Sequence, residues 1–212
     1  MTRLASFLTI ALVAFATSFS SAQTYMDVMG TDIDFTNIIE TSGGGVFGQP
    51  TASGNEINFP ATGFSVLGEN GMSDFLQGSL ELDASSNSGM TFSSVSLQEF
   101  GSYFMSGDST GSVDAFLSVI TPDGLFQDSF TFDFTEGAGS WLGNAEVSFP
   151  ATSTATVFLQ NILFADSAPN EAASITKRDV RIRFGDETAI PEPTAVGLLA
   201  LGLVSICSRR RR

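Results

Sequence analysis

The stretch VDAFLSVITPDGLFQDSFTFDF, residues 113–134, decides the fold. Val113, Ala115, Leu117 and Val119 fall on one face of an extended chain. Phe130, Phe132 and Phe134 alternate with Thr131, Asp133 and Thr135. Successive side chains of a strand point to opposite faces, so a period of two marks a strand with one side buried. Between the two runs lies Thr121-Pro122-Asp123-Gly124. Proline pre-sets φ at the first turn corner, and glycine follows where the chain reverses. The segment therefore reads as an antiparallel hairpin, Val113–Ile120 paired with Leu125–Phe134.

The same alternation recurs outward from this hairpin. Leu80 and Leu82 alternate with Glu81 and Asp83, and Val180, Ile182 and Phe184 with Arg181 and Arg183. Further strands are predicted at 33–40, 56–59, 75–83, 91–100, 145–149, 154–159 and 162–165. Turn clusters at Ser42–Gly45, Ser85–Gly89 and Glu136–Ser140 are expected to separate them. Helix formers never accumulate over a helical length. Seventeen phenylalanines lie between positions 35 and 184, enough to fill the space between two sheets. The expected architecture is all-β: a single antiparallel β-sandwich of the jelly-roll kind, without internal repeats.

The two ends stand apart from this body. Arg3 precedes an apolar run, Leu4 to Ala16, and small residues lead to a cleavage site between Ala22 and Gln23. Residues 1–22 read as a signal peptide removed by signal peptidase. At the other end, an apolar run from Ala195 to Cys207 is followed by Arg209, Arg210, Arg211 and Arg212. As a helix this run would reach roughly 20 Å, short of a hydrocarbon core of about 30 Å. It is expected to be a marginal anchor, with the arginine cluster as a membrane stop held on the cytoplasmic side.

Pro191, Glu192 and Pro193 stand immediately before that run. Two prolines fix φ and remove two N–H donors, so the segment stays extended, as a protease cleft requires. Triplet, Leu/Gly-rich apolar stretch and terminal arginine cluster, in that order over residues 190–212, resemble the PEP-CTERM sorting tails. The resemblance implies processing by an exosortase, a membrane-embedded sorting protease, near the triplet. It further implies transient inner-membrane anchoring and then release to the cell surface or the extracellular polysaccharide matrix. Thr188–Glu192 would link the body to the anchor.

The body, 23–189, carries four basic residues (Lys177, Arg178, Arg181, Arg183) against 22 acidic ones, a net of −18. Nucleic-acid binding, which needs a basic footprint, is excluded. Anionic polysaccharides and lipid headgroups are disfavoured as partners unless a divalent cation mediates. The charge reads first as a solubilising surface. Ca²⁺ held by clustered carboxylates is the sharper alternative, and no metal ligands are assigned.

Catalytic signatures are sparse. Gly107-Asp108-Ser109-Thr110-Gly111 fits the G-x-S-x-G pattern, but that motif needs a strand-to-helix turn and a base. The chain contains no histidine, and Lys177 is its only lysine. Residues 107–111 therefore read as a turn between strands. Cys207 is the sole cysteine and lies in the tail, so the body has no thiol and no structural zinc site. Gly137-Ala138-Gly139 lacks the strand–helix setting of a dinucleotide loop. No catalytic or cofactor-binding residues are assigned. The expected function is that of a non-enzymatic, exported structural or adhesive protein of the cell envelope or matrix. A carbohydrate-binding module, calcium-assisted or not, is the alternative, and a secreted glycan hydrolase using a carboxylate pair is a third reading.

Overall fold

The computed structural model describes residues 22–87 and 89–185, together with the backbone of 188–189. The signal-peptide residues 1–21, the Pro191–Pro193 triplet, the apolar run and the four terminal arginines lie outside the described residues.

Fourteen strands follow one another, and no helix occurs among the described residues. They are β1 (Ala22–Thr24), β2 (Val28–Met29), β3 (Ile33–Ser42), β4 (Thr51–Ser53), β5 (Glu56–Phe59), β6 (Ser65–Glu69) and β7 (Ser73–Ser86). β8 (Met90–Met105), β9 (Thr110–Thr121), β10 (Gly124–Phe134), β11 (Gly137–Thr152), β12 (Thr154–Asp166), β13 (Ala172–Gly185) and β14 (Thr188–Ala189) complete the chain. The hairpin of 113–134 forms as read, with Thr121 opposite Gly124 and Val113 opposite Phe132. Asp123 N–H donates to Thr121 Oγ1 across the turn, and Gly124 takes a positive φ of 142°.

Two antiparallel sheets face each other. One runs β1-β3-β7-β12-β9-β10 and the other β11-β8-β13-β5-β4. Ranked in chain order, the eight strands β5 and β7 to β13 follow a jelly roll. The second, seventh, fourth and fifth of them make one sheet (β7-β12-β9-β10). The first, eighth, third and sixth make the other (β5-β13-β8-β11). Phe35, Phe92 and Phe184 meet between the sheets, with Phe92 edge-on to Phe184 at 4.8 Å. Phe47, Phe59 and Phe64 form a second aromatic group. Val113, Ala115, Leu117 and Val119 are buried as their alternation predicts, and so are Val180, Ile182 and Phe184.

Three local expectations are corrected. Glu136–Ser140 is not a turn: β11 begins at Gly137 and pairs with β8 from there on, Gly137 opposite Met105. Gly137 enters the strand at φ +78°, a conformation that favours glycine, and a Cβ on Gly139 would stand 3.0 Å from the Tyr103 ring. The strands predicted at 154–159 and 162–165 are one strand, β12, running through Gln160 and Asn161. Asn161 points inward, where its Oδ1 accepts from a side chain of the opposite sheet, and the polar pair does not break the strand. The first two linker residues, Thr188 and Ala189, pair with Thr91 and Met90 of β8.

β10 also differs from a fully buried strand. It lies at the edge of its sheet, and Phe130 and Phe132 are only half-buried while Phe134 is buried. Their rings lean on β11: Phe132 sits 6.1 Å from Trp141, and Phe130 occupies the space a Cβ on Gly143 would need.

Candidate functional site

Two places in this fold gather chemically able groups. The first is the outward face of the β3-β7-β12-β9-β10 sheet. Outward residues alternate with the buried ones already named, which puts Phe116 and Ser118 of β9 beside Phe158 and Gln160 of β12. Gln127 of β10 and Glu81 of β7 flank them. Together with Ile39, Thr41 and Ser79 they line a shallow groove of about 440 Å³ that crosses five strands. Phe116 remains 44% exposed. Gln127 Nε2 donates to Ser118 Oγ at 2.9 Å, which fixes the amide at the groove wall. A second depression is lined by Asp83, Thr156, Ile120, Thr121 and Pro122. Aromatic rings beside a few amides and hydroxyls suit a ligand with apolar faces and many hydroxyls. The signal in the sequence was Phe116, the apolar residue on the wrong side of the Val113–Val119 alternation.

The second place is inside the sandwich. Lys177 of β13 and Glu99 of β8 are both wholly buried and form an ion pair in which Nζ contacts Oε2. Nζ also donates to Oδ1 of Asn161, itself wholly buried on β12 of the opposite sheet. The ring of Phe64 lies 4.9 Å from Nζ and that of Trp141 5.8 Å, closing the cluster on two sides. Glu99 Oε1, Asn161 Nδ2 and Trp141 Nε1 are buried without a hydrogen-bond partner among the protein groups. Burial holds the Glu99 carboxyl above its ordinary range, opposed by the nearby Lys177. It holds the Lys177 ammonium below its ordinary range, opposed by Glu99. Desolvation disfavours both charged forms, and it is the larger effect in each group.

A bulge brings Lys177 here. Against β8, the register of β13 shifts between Lys177 and Asp179. Before the bulge the inward residues are Ala173, Ile175 and Lys177, and after it Val180, Ile182 and Phe184. The extra residue changes which parity faces the core. Sequence reading assigned Lys177 no role, and it passed over Glu99, which continues the inward series Val95, Leu97.

A second buried carboxylate, Glu40, ties down the loop after β3. It accepts from Tyr25 Oη, Ser42 Oγ and the N–H groups of Val46 and Phe47. Burial, and then the adjacent Glu40, pushes the Tyr25 hydroxyl above its ordinary range.

The residues singled out from sequence are placed as follows. Ala22 and Gln23 lie in β1, opposite Thr41 and Glu40. Gly107 and Asp108 form a turn, with Gly107 at φ +53°, and a strand, not a helix, follows. Ser109 is buried and its Oγ accepts from Ala168 N–H at 3.2 Å. Arg181 is outward and pairs with Asp179 at 2.6 Å. Among the described residues, no group of three or more carboxylate, histidine or cysteine side chains could hold a metal ion.

Residues 189–212 match the family model described as the PEP-CTERM protein-sorting motif. The chain thus carries the tail of an exported protein with a membrane-anchored sorting signal. Comparison with curated proteins finds no match. Among solved structures, the chain is similar to a carbohydrate-binding module specific for non-crystalline cellulose. Identity there is 14%, over 69% of this chain and 87% of that one, with a TM-score of 0.26. It is also similar to the N-terminal cellulose-binding domain of β-1,4-glucanase C from Cellulomonas fimi. That likeness has 15% identity, over 59% of this chain and 91% of that one, with a TM-score of 0.25. A third is the family 11 carbohydrate-binding module of Clostridium thermocellum in complex with a mixed-linked β-1,3-1,4 tetrasaccharide. Here identity is 9%, over 74% of this chain and 98% of that one, with a TM-score of 0.22.

Proposed function

We propose that this chain, whose C-terminus carries a PEP-CTERM sorting motif, is a non-catalytic adhesive protein of the cell surface or matrix. Its groove on the outer face of the β3-β7-β12-β9-β10 sheet holds a neutral polysaccharide. The observation that carries this reading is the groove itself, with Phe116 and Phe158 set between Gln127, Gln160 and Ser118. A sugar ring offers an apolar face to each phenylalanine and hydroxyls to the amides on either side. The body charge of −18 selects against uronic-acid and sulfated chains, which leaves neutral glycans.

Three observations favour binding without catalysis. The chain has no histidine. Ser109 is buried in a turn, and Lys177 is sealed in the core. The sorting enzyme and signal peptidase are partners in delivery, and the polysaccharide is the partner at the destination.

The test is affinity electrophoresis of the secreted protein through gels cast with neutral and with acidic polysaccharides, with and without Ca²⁺. Retardation by a neutral glycan is expected, and Phe116→Ala should weaken it about tenfold, or ~1.4 kcal/mol. No retardation by any neutral glycan, or equal retardation of the variant, overturns the proposal.

A further inference from the structure

We infer that Lys177 and Asn161 become covalently joined, through an amide bond between Nζ and the side-chain carbon Cγ, with Glu99 as the proton-shuttling group. The bond ties β13 in one sheet to β12 in the other, through the middle of the core.

The three groups already touch. Nζ already contacts Oδ1 of Asn161. Cγ is one C=O bond, about 1.23 Å, beyond that oxygen, and reacting atoms held at about 3–3.5 Å form a near-attack arrangement. The third group, Glu99, contacts the same Nζ. Three side chains from three strands converge here, all with no solvent exposure. Phe64 and Trp141 wall the cluster, so water cannot compete as nucleophile or hydrolyse the product.

Protonation states fit as well. Attack needs a free lone pair on Nζ and a carboxyl able to give and take a proton, and burial favours both neutral forms. The step balances without any co-reactant. The Nζ lone pair attacks Cγ. One Nζ proton passes to the Glu99 carboxyl and from there to Nδ2. The Cγ–Nδ2 bond breaks, its electron pair leaves on ammonia, and Glu99 returns to its starting state. Nothing is oxidised or reduced.

Two of the three unpartnered atoms of the cluster fall into place on this reading. Asn161 Nδ2 is the atom that departs, and Glu99 Oε1 is the free oxygen of the shuttle. As a permanent ion pair the cluster would leave these two buried atoms with at most each other for a partner, which is costly. As an amide it is neutral, with its remaining N–H donating to Glu99. The inference is independent of glycan binding, although a surface adhesin held by its C-terminus would load β14 and then β13.

The test is peptide mapping of the folded, secreted protein. Cleavage after glutamate separates fragment 147–171, which holds Asn161, from 172–187, which holds Lys177. The expected result is one joined species, lighter than the two fragments together by one ammonia, with fragmentation placing the link at 161 and 177. Cyclisation of an N-terminal Gln23 also releases ammonia, but it falls in neither fragment. Lys177→Met should give the two fragments separately. Glu99→Gln should do the same while keeping the buried emission of Trp141, and Glu99→Leu replaces it if the glutamine variant does not fold. Separate fragments of full mass from folded wild-type protein overturn the inference. A link that persists in the folded Glu99 variant overturns the role of Glu99.

Discussion

Gly101→Ala probes the seal over the buried lysine. Gly101 lies opposite Trp141 on β11 and opposite Lys177 on β13, at the edge of the bulge. A Cβ there would stand 2.3 Å from the carbonyl oxygen of Thr176 and 2.4 Å from Cε2 and Cζ2 of the Trp141 ring. The oxygen belongs to the central β8–β13 ladder and cannot retreat without loss of backbone hydrogen bonds. The indole must therefore move, and with it the wall over Lys177. Overpacking of this kind costs about 1–3 kcal/mol, and the immovable backbone oxygen places this site at the upper end. For a body of this size 1 kcal/mol corresponds to about 2–4 °C, so the melting temperature should fall by about 6–12 °C. Trp141 is the sole tryptophan and is 4% exposed. Its fluorescence should be blue-shifted in the wild type and move to the red in the variant. A loss under about 1 °C with unmoved emission would refute the placement of Trp141 over Gly101.

Other outcomes follow from the same packing. Leu117→Ala, in the buried face of β9, should cost ~2–5 kcal/mol, whereas Phe132→Ala on the half-buried edge strand should fall below the usual ~3–5 kcal/mol for an aromatic deletion, both read from chemical denaturation. The raised Tyr25 hydroxyl makes stability full below the ordinary tyrosine value of 10.0 and lost as pH climbs above it. Tyr25→Phe should flatten that alkaline decline in a pH series of melts, at a cost near neutrality of ~1–3 kcal/mol for the unsatisfied Glu40; an unchanged alkaline limb counts against it. At fixed ionic strength Ca²⁺, Mg²⁺ and Na⁺ should shift the melting temperature equally, because exposed carboxylates are screened over a Debye length of about 8 Å; a rise with Ca²⁺ alone would reveal a specific site. In the native host the surface form should lack everything beyond the Pro191–Pro193 region, and intact mass that still includes Arg212 would contradict processing there.

Much of the architecture was legible because a strand writes itself into sequence at a period of two. Val113, Ala115, Leu117 and Val119 announced their buried face, and Pro122 and Gly124 announced the turn. The sorting tail was legible for a different reason, since a protease and a membrane read it as linear sequence. What misled was local chemistry. Gly137 and Gly139 resemble turn residues, yet they pair with Met105 and Tyr103 in the β8–β11 ladder. Gln160 and Asn161 resemble a break, yet β12 runs straight through them.

The sequence alone determined the all-β class, the hairpin, the acidic composition and the C-terminal sorting motif, since each rests on residues close together in the chain or on composition. The pairing of β7 with β12 and of β8 with β13 was decided by tertiary structure, because it joins residues far apart in sequence. So was the reactive core. Lys177 faces inward only because β13 bulges between 177 and 179, and one residue of register sends a side chain to the opposite face. Glu99 and Asn161 reach it from strands 78 and 16 positions away in sequence. No period within any one strand encodes that meeting.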